Sequence, residues 1–256
     1  MQLAQFNIAR LHHPIDHPAS RGFIDLIDET NTRAEASPGF VWRHGIDTRT
    51  ADDAPYDDKL ITVNASVWAS IDDLRTFAYR GWHRDVFRRR QEWFQDSAAV
   101  MWWIPDGEIP AMQECLLRLA FHDEFGSTPF AFGMGERVPA LVITHHDHGT
   151  HRVATATVDG ASAGTCEWHL DGEVATATWP ATTDLAAALL TAVESQAFGL
   201  GATALHVVGD VVGTLDLDVL ERLGHDVASL PTTKALAPIR RRGGFRQLAA
   251  TRPFDS

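Results

Sequence analysis

The chain has 256 residues, a formal charge of -12 with histidine neutral, and 45% hydrophobic residues. That is enough chain for one large domain or two small ones, each with a real core. The acidic balance excludes nucleic acid as a general partner, because phosphate binding needs a net positive surface, and no uninterrupted apolar run is long enough to span a bilayer.

The opening "MQLAQFNIARLHHP" has no basic segment followed by an apolar run, so no secretory leader is expected. Cys115 and Cys166 lie far apart and show no metal spacing. A reduced, cytoplasmic setting follows as the expectation. The segment 3–11, "LAQFNIARL", reads as a strand. Residues 20–36 place Phe23, Leu26, Ile27 and Ala34 at helical spacing. "SPGFVWRHG" supplies a turn and then a strand, and "LITVNASVW" (60–68) is rich in β-branched residues. Ser70 with Asp73 three residues on marks a helix start. "AAVMWWIP" (98–105) is a fourth strand. The order β-α-β-β-α-β is the ferredoxin-like arrangement. "IPAMQECLLRLAFHDEFG" adds a helix, with Pro110 near its first turn.

The helix after Ser70 carries the segment "FAYRGWHRDVFRRRQEWF" (77–94), which mixes aromatic rings with arginines. Such a segment needs both an apolar and a polar neighbour. Tyr79 and His83 are four apart, so they are expected to share one helix face. Arg88, Arg89 and Arg90 cannot all point inward, so most are expected to be solvated or paired.

"GSTPFAFGMGERVP" (126–139) is rich in Gly and Pro and marks a boundary. The expected domains are 1–133 and 134–238, with a mobile tail at 239–256. In the second part, strands alternate with short polar turns, two of them Asp-Gly. A helix at 184–198, with Asp184 as N-cap, follows. A strand, "ATALHVVGD", and a short helix, "LDVLERLGHDV", ended by Gly224, come next. "HHDHGTH" (145–151) could offer imidazoles to a metal, but alternation in a hairpin lets at most two or three converge, so no metal is expected.

The ordered run "LAQFNIARL", "ASPGFVWR", "VNASVW", "FAYRGWHRDVFRRRQEWF", "MWWIP" and "STPFAF" resembles a bacterial family of uncharacterised domains over about residues 1–133. That family sits in the dimeric α+β barrel superfamily, beside the antibiotic-biosynthesis monooxygenases. The resemblance implies an α+β chain whose ferredoxin-like first domain forms a homodimer and keeps a ligand cavity between sheet and helices. By analogy with cofactor-free oxygenases and haem-degrading relatives, it implies a catalytic set of Tyr79, His83, Asn7 and Asn64. Trp42, Trp68 and Trp102 would line the substrate, and haem would be the cofactor if His83 bound iron. The plainer readings are a structural helix histidine at His83 and tryptophans that pack core and interface. Asn7 and Asn64 are more telling, because asparagine is depleted in strands.

Residues from about 150 to 230 are similar to GNAT acyltransferases in "HRVATATVDGASAGTCEWHLDGEVATATW", in "DLAAALLTAVESQAFGLGATALHVV" and in the "ERLGH" end. An active member cradles the pyrophosphate of acetyl-CoA on a basic, Gly-rich loop at a helix N-terminus. Here that loop reads "WPATTDLAA", without Arg or a Gly pair and with Asp184 in place. Tight acetyl-CoA binding is therefore not expected, and the second domain reads as a degenerate acyltransferase fold.

The expected function is enzymatic chemistry of the monooxygenase type on a hydrophobic or aromatic small molecule in the first domain. Tyr79 and His83 would move protons, and Asn7 and Asn64 would polarise a carbonyl or enolate. The alternatives are an acyl-CoA-dependent transferase acting through the second domain, and a non-enzymatic ligand-binding or scaffold protein.

Overall fold

A computed structural model of the chain describes residues 1–45, 58–149, 151–180, 183–209, 216–228 and 232–236, without the side chains of 183 and 184. The chain divides into two units, Met1–Glu136 and Arg137–Pro238. The tail expected to be mobile lies outside the described residues, as do positions 181 and 182 of the loop weighed for coenzyme A and the side chain of Asp184. Among the described residues, no helix is long and apolar enough to cross a membrane.

The first unit runs β1 (Gln2–Leu11), α1 (Arg21–Glu35), β2 (Phe40–Arg43), β3 (Ile61–Trp68), α2 (Ile71–Tyr79), α3 (Gly81–Arg88), β4 (Phe94–Ile104) and α4 (Met112–Phe125). The sheet order is β2-β3-β1-β4, and every pairing is antiparallel. This is the ferredoxin-like order, with β1 and β3 inside. Alternation along the strands sorts the side chains onto two faces. Register puts Leu3, Gln5 and Asn7 with Asn64, Ser66 and Trp68 of β3 and with Ala99, Met101 and Trp103 of β4. The other face carries Phe6, Ile8, Val63, Ala65, Val67, Val100 and Trp102, all buried.

The first face looks toward α2, for Trp68 stacks on Phe77 with ring centres 5.2 Å apart. The second face is covered at β4 by α4. The Arg118 guanidinium lies 5.4 Å from the Trp102 ring centre and 3.6 Å from that of Phe130. Phe132 closes the β4 edge through two backbone hydrogen bonds with Met101, of 2.9 and 3.0 Å. The expectation of a homodimer rested on Trp102 and Trp103 placing one ring on each sheet face; within the single chain Trp102 is fully buried and Trp103 is half-buried.

The segment 77–94 is not one helix. Ser70 caps α2 by accepting from the Asp73 N–H at 3.1 Å, as its spacing foretells. The helix then stops at Arg80, whose backbone is extended. Gly81 turns the chain at φ +60, a conformation that glycine adopts without steric cost. α3 restarts there, and a short turn at Arg90–Glu92 leads into β4. The arginine run is spent at the surface. Arg89 pairs with Glu92 at 2.9 Å, and Arg90 lies over the Phe87 ring at 4.4 Å.

The second unit holds a six-stranded sheet in the order β10-β9-β8-β7-β6-β5. Its strands are β5 (Leu141–His148), β6 (His151–Val158), β7 (Ala161–Asp171), β8 (Val174–Thr178), β9 (Ala204–Val208) and β10 (Thr232–Ala235). The first four form an antiparallel meander. Asp159 at φ 50 and Gly160 at φ 81 make the two-residue turn between β6 and β7, the primed type whose twist suits a hairpin. α5 (Thr183–Gly199) then crosses over, so that β9 runs parallel to β8. α6 (Leu217–Arg222), capped by Asp216, leads to the antiparallel edge β10.

Candidate functional site

Five polar or indole side chains of β1 and β3 form one hydrogen-bonded ladder on the face toward α2. Trp68 Nε1–H donates to Ser66 Oγ at 3.0 Å. Ser66 Oγ–H donates to Gln5 Oε1 at 2.9 Å. Gln5 Nε2–H donates to Asn7 Oδ1 at 2.9 Å. Asn64, directly across from Asn7, donates from Nδ2 to the same Oδ1 at 3.2 Å. Two donors aimed at one oxygen fix the orientation of the Asn7 amide. Among the described residues its own Nδ2–H groups have no partner.

The burial along the ladder is graded. Trp68, Ser66 and Gln5 are buried, Asn7 is half-buried and Asn64 is exposed. Ala99, opposite Asn7 on β4, is exposed too. The middle of this sheet face is therefore open, although its Trp68 end is packed. Asparagine amides at an open position on a sheet face are donors able to meet an oxygen that gains negative charge. Among the strand residues that register places on this face, Arg43 of β2 stands opposite Ser66 and carries a charge, which is paired with Glu35 at 2.6 Å.

His83 lies elsewhere. Its ring packs on Phe77 with centres 4.5 Å apart, on the helix side of the Phe77–Trp68 stack. Its Nδ1 is 3.1 Å from the Ala78 carbonyl. A carbonyl only accepts, so Nδ1 carries the proton and the neutral ring offers Nε2 as an acceptor. Burial lowers the His83 pKa, and the bond to Ala78 opposes that only in part. His83 lines a cleft of about 410 Å³ with Arg33, Ala36, Ser37, Pro38, Asp73, Thr76, Phe77, Arg80, Gly81 and Trp82. Neither Asn7 nor Asn64 lines it.

The structure thus divides the four residues expected to act together. Asn7 and Asn64 meet directly. Tyr79 does not share a face with His83, because the break at Arg80 and Gly81 resets the helical phase. Tyr79 is exposed and sets its ring edge-on to Phe87 at 6.1 Å. Of the three tryptophans, Trp68 anchors the ladder. Trp102 is on the opposite sheet face beneath Arg118, and so cannot line this site. Trp42 packs edge-on to His44 at 5.8 Å.

Gln5 and Ser66 are the residues that sequence reasoning missed. Their signal was positional: each stands two residues from a residue already chosen, Asn7 and Trp68, and so on the same strand face.

As for haem, His83 has the donor arrangement of a metal-ligating histidine, with one nitrogen held by a carbonyl and the other without a partner among the described residues. In the second unit, the histidines of 145–151 divide between the two sheet faces. His145 faces the side of Ala154, while His148 opposes His151, and His151 opposes His169. Among the described residues no group of three or more His, Cys, Asp or Glu is arranged to hold a metal ion. Cys166 is buried and its thiol is pushed up to about 12, chiefly by burial, so it is inert as a nucleophile at neutral pH.

Residues 2–148 match the family model described as "Domain of unknown function (DUF3291)". That match takes in residues 2–136 of the first unit and continues through β5. No curated protein matches. Among solved structures, the chain is similar to SnoaB, a cofactor-independent oxygenase from Streptomyces nogalater. The identity is 16% and the TM-score 0.32, over 43% of this chain and 98% of that one. An asparagine-to-alanine mutant of the same oxygenase gives 14% identity and a TM-score of 0.32 over the same shares. A TM-score of 0.32 is too low for either likeness to bear on the activity.

Proposed function

We propose that this chain, which belongs to the DUF3291 family, is a small-molecule enzyme of the antibiotic-biosynthesis-monooxygenase type that works on the α2-facing side of its first sheet. The observation that supports this most is the ladder ending in the Asn7 amide. It presents oriented N–H donors at an open sheet face. Such a face suits a hydroxylated aromatic substrate acidic enough to lose a proton to water. Asn7 and Asn64 would hold the resulting phenolate or enolate oxygen. An electron-rich anion of that kind reduces dioxygen directly: a ring CH₂ and O₂ become a ring C=O and H₂O. Proton transfer by His83 or Tyr79 is not part of this reading, since neither reaches the Asn pair.

The test is oxygen uptake by the purified full chain with a panel of polyhydroxylated aromatics. The Asn7→Ala and Asn64→Ala variants should each lose about a hundredfold in turnover, the usual cost of one oxyanion donor. Turnover that is untouched in both variants would overturn the reading. So would a Soret or flavin band in protein from its own host, since the chemistry would then be the cofactor's.

For the second unit, the parallel β8–β9 pair joined through α5 supports an acyltransferase-like topology. We propose it as a fold relationship only, because much of the loop that would meet coenzyme A is outside the described residues.

A further inference from the structure

We propose that the cleft between α1, α2 and α3 is a second small-molecule site, built for a planar aromatic carboxylate that also bears a hydroxyl group. At about 410 Å³ it falls in the size range of small-ligand pockets. Its lining combines flat apolar surface with a few polar groups, each of which has a readable role.

The apolar part is aromatic and held in place. Phe77 is backed by Trp68 on one side and by His83 on another. Trp82 is covered by the Arg33 guanidinium, 4.9 Å from its ring centre. Arg33 is tied in turn to Glu29 at 2.6 Å. Its charge is engaged and it serves as a wall.

Arg80 is different. It is exposed, it sits in the extended break between α2 and α3, and it has no ion-pair or side-chain hydrogen-bond partner among the described residues. A guanidinium in that state is a fork waiting for a carboxylate. The lining carboxylate, Asp73, is occupied, because Ser70 Oγ–H donates to it at 2.6 Å. His83 completes the set. Its Nδ1–H is spent on Ala78, so Nε2 can accept a ligand O–H, and burial keeps the ring neutral. Arg80 and His83 stand three residues apart at the same end of α3. One small ligand would meet a cation with one group and a neutral acceptor with the other.

This site does not depend on the reading of the Asn pair. The experiment is calorimetric titration of the full chain with 4-hydroxybenzoate, with 4-hydroxybenzamide and benzoate as probes that each lack one group. The parent should bind 4-hydroxybenzoate and lose about tenfold in affinity with either analogue, as expected for one polar contact. Arg80→Gln should abolish the preference for the carboxylate over the amide. His83→Phe should abolish the preference for the hydroxylated acid. Asn7→Ala should bind like the parent. The proposal is overturned by absence of binding at millimolar 4-hydroxybenzoate, by equal affinity for acid and amide, or by loss of binding in Asn7→Ala, which would move the ligand to the sheet face. If His83→Phe does not fold, the amide comparison and Arg80→Gln still decide, since Arg80 is a surface side chain.

Discussion

Asn64 donates to Asn7 across the β1–β3 pair at 3.2 Å, and the oxygen it meets already accepts from Gln5. The ladder behind that contact has a buried half and an open half, and the two halves should fail differently on mutation. Ser66→Ala removes the acceptor of the buried Trp68 indole and the donor to the buried Gln5 carbonyl. Two buried polar atoms are then unpaired, at a cost on the order of 2 kcal/mol. Asn7→Ala removes a half-buried amide and should cost under about 1 kcal/mol, while it takes away the group proposed to meet substrate. Denaturant melts of both variants check this. A Ser66→Ala protein as stable as the parent would mean that the ladder does not form.

Gly39 gives a backbone test of how α2 sits on the β2 end of the sheet. It has φ +75, and a Cβ there would overlap the Asp73 carboxylate, which is bonded to Ser70. Gly39→Ala should therefore cost on the order of 2 kcal/mol or more, from left-handed backbone and from steric overlap together. Gly135→Ala, where a Cβ would meet nothing within 4 Å, should stay within about 0.5 kcal/mol of the parent. Thermal melts of the pair separate a local clash from a general intolerance of substitution.

Much of the first unit was legible because its signals are local. Strand alternation, the Ser70–Asp73 start and the β-α-β-β-α-β order all follow from short-range pattern. The Asn pair was legible as two unusual strand residues. That they bond each other depends on a register set by the whole sheet. The break at Gly81 was hidden inside a good amphipathic pattern, where one glycine reads as a tolerated weakness. It moved Tyr79 off the face that carries His83. The side of the sheet taken by Trp102 was hidden for another reason. A strand shows that Trp102 and Trp103 face opposite ways, but only α4 decides which face is covered.

Arg118 is the charged residue on which that covering depends. It is buried, bonds Glu114 at 3.0 Å and the Phe130 carbonyl at 2.6 Å, and lies on the rings of Trp102 and Phe130. Arg118→Ala strips the cover from both rings and leaves Glu114 without its partner, so a loss of about 3–5 kcal/mol is expected. Replacing the pair together, as Arg118→Met with Glu114→Leu, keeps apolar volume over Trp102 and leaves no stranded charge. That double variant should recover most of the loss. Chemical denaturation of both proteins is the check. Equal losses would show that the guanidinium's hydrogen bond to Phe130, and not its cover or its charge pairing, is what the fold needs.

The second unit should have an acid edge of its own, centred on His225. This ring is buried, its Nε2 has no hydrogen-bond partner among the described residues, and Lys234 is a cation near it. Burial first, and Lys234 second, lower its pKa to about 4, against about 6.5 in an unfolded chain. The unfolded state therefore binds the proton more readily than the native one. His225's contribution is complete above about pH 6.5 and is lost as pH falls from there through about 4. The full loss should be on the order of 2 kcal/mol, after allowance for partial solvent screening. Nearby Glu194 pairs with Lys234 at 2.7 Å. It is raised by burial more than Lys234 lowers it, so it opposes His225's trend over part of the same range. His225→Phe removes the proton site and keeps the ring volume. Its stability should fall less steeply than the parent's between pH 6.5 and 4, measured by denaturant melts at fixed ionic strength. Parallel pH profiles for the two proteins would show that His225 does not titrate differently on folding, and that the acid edge belongs to other groups.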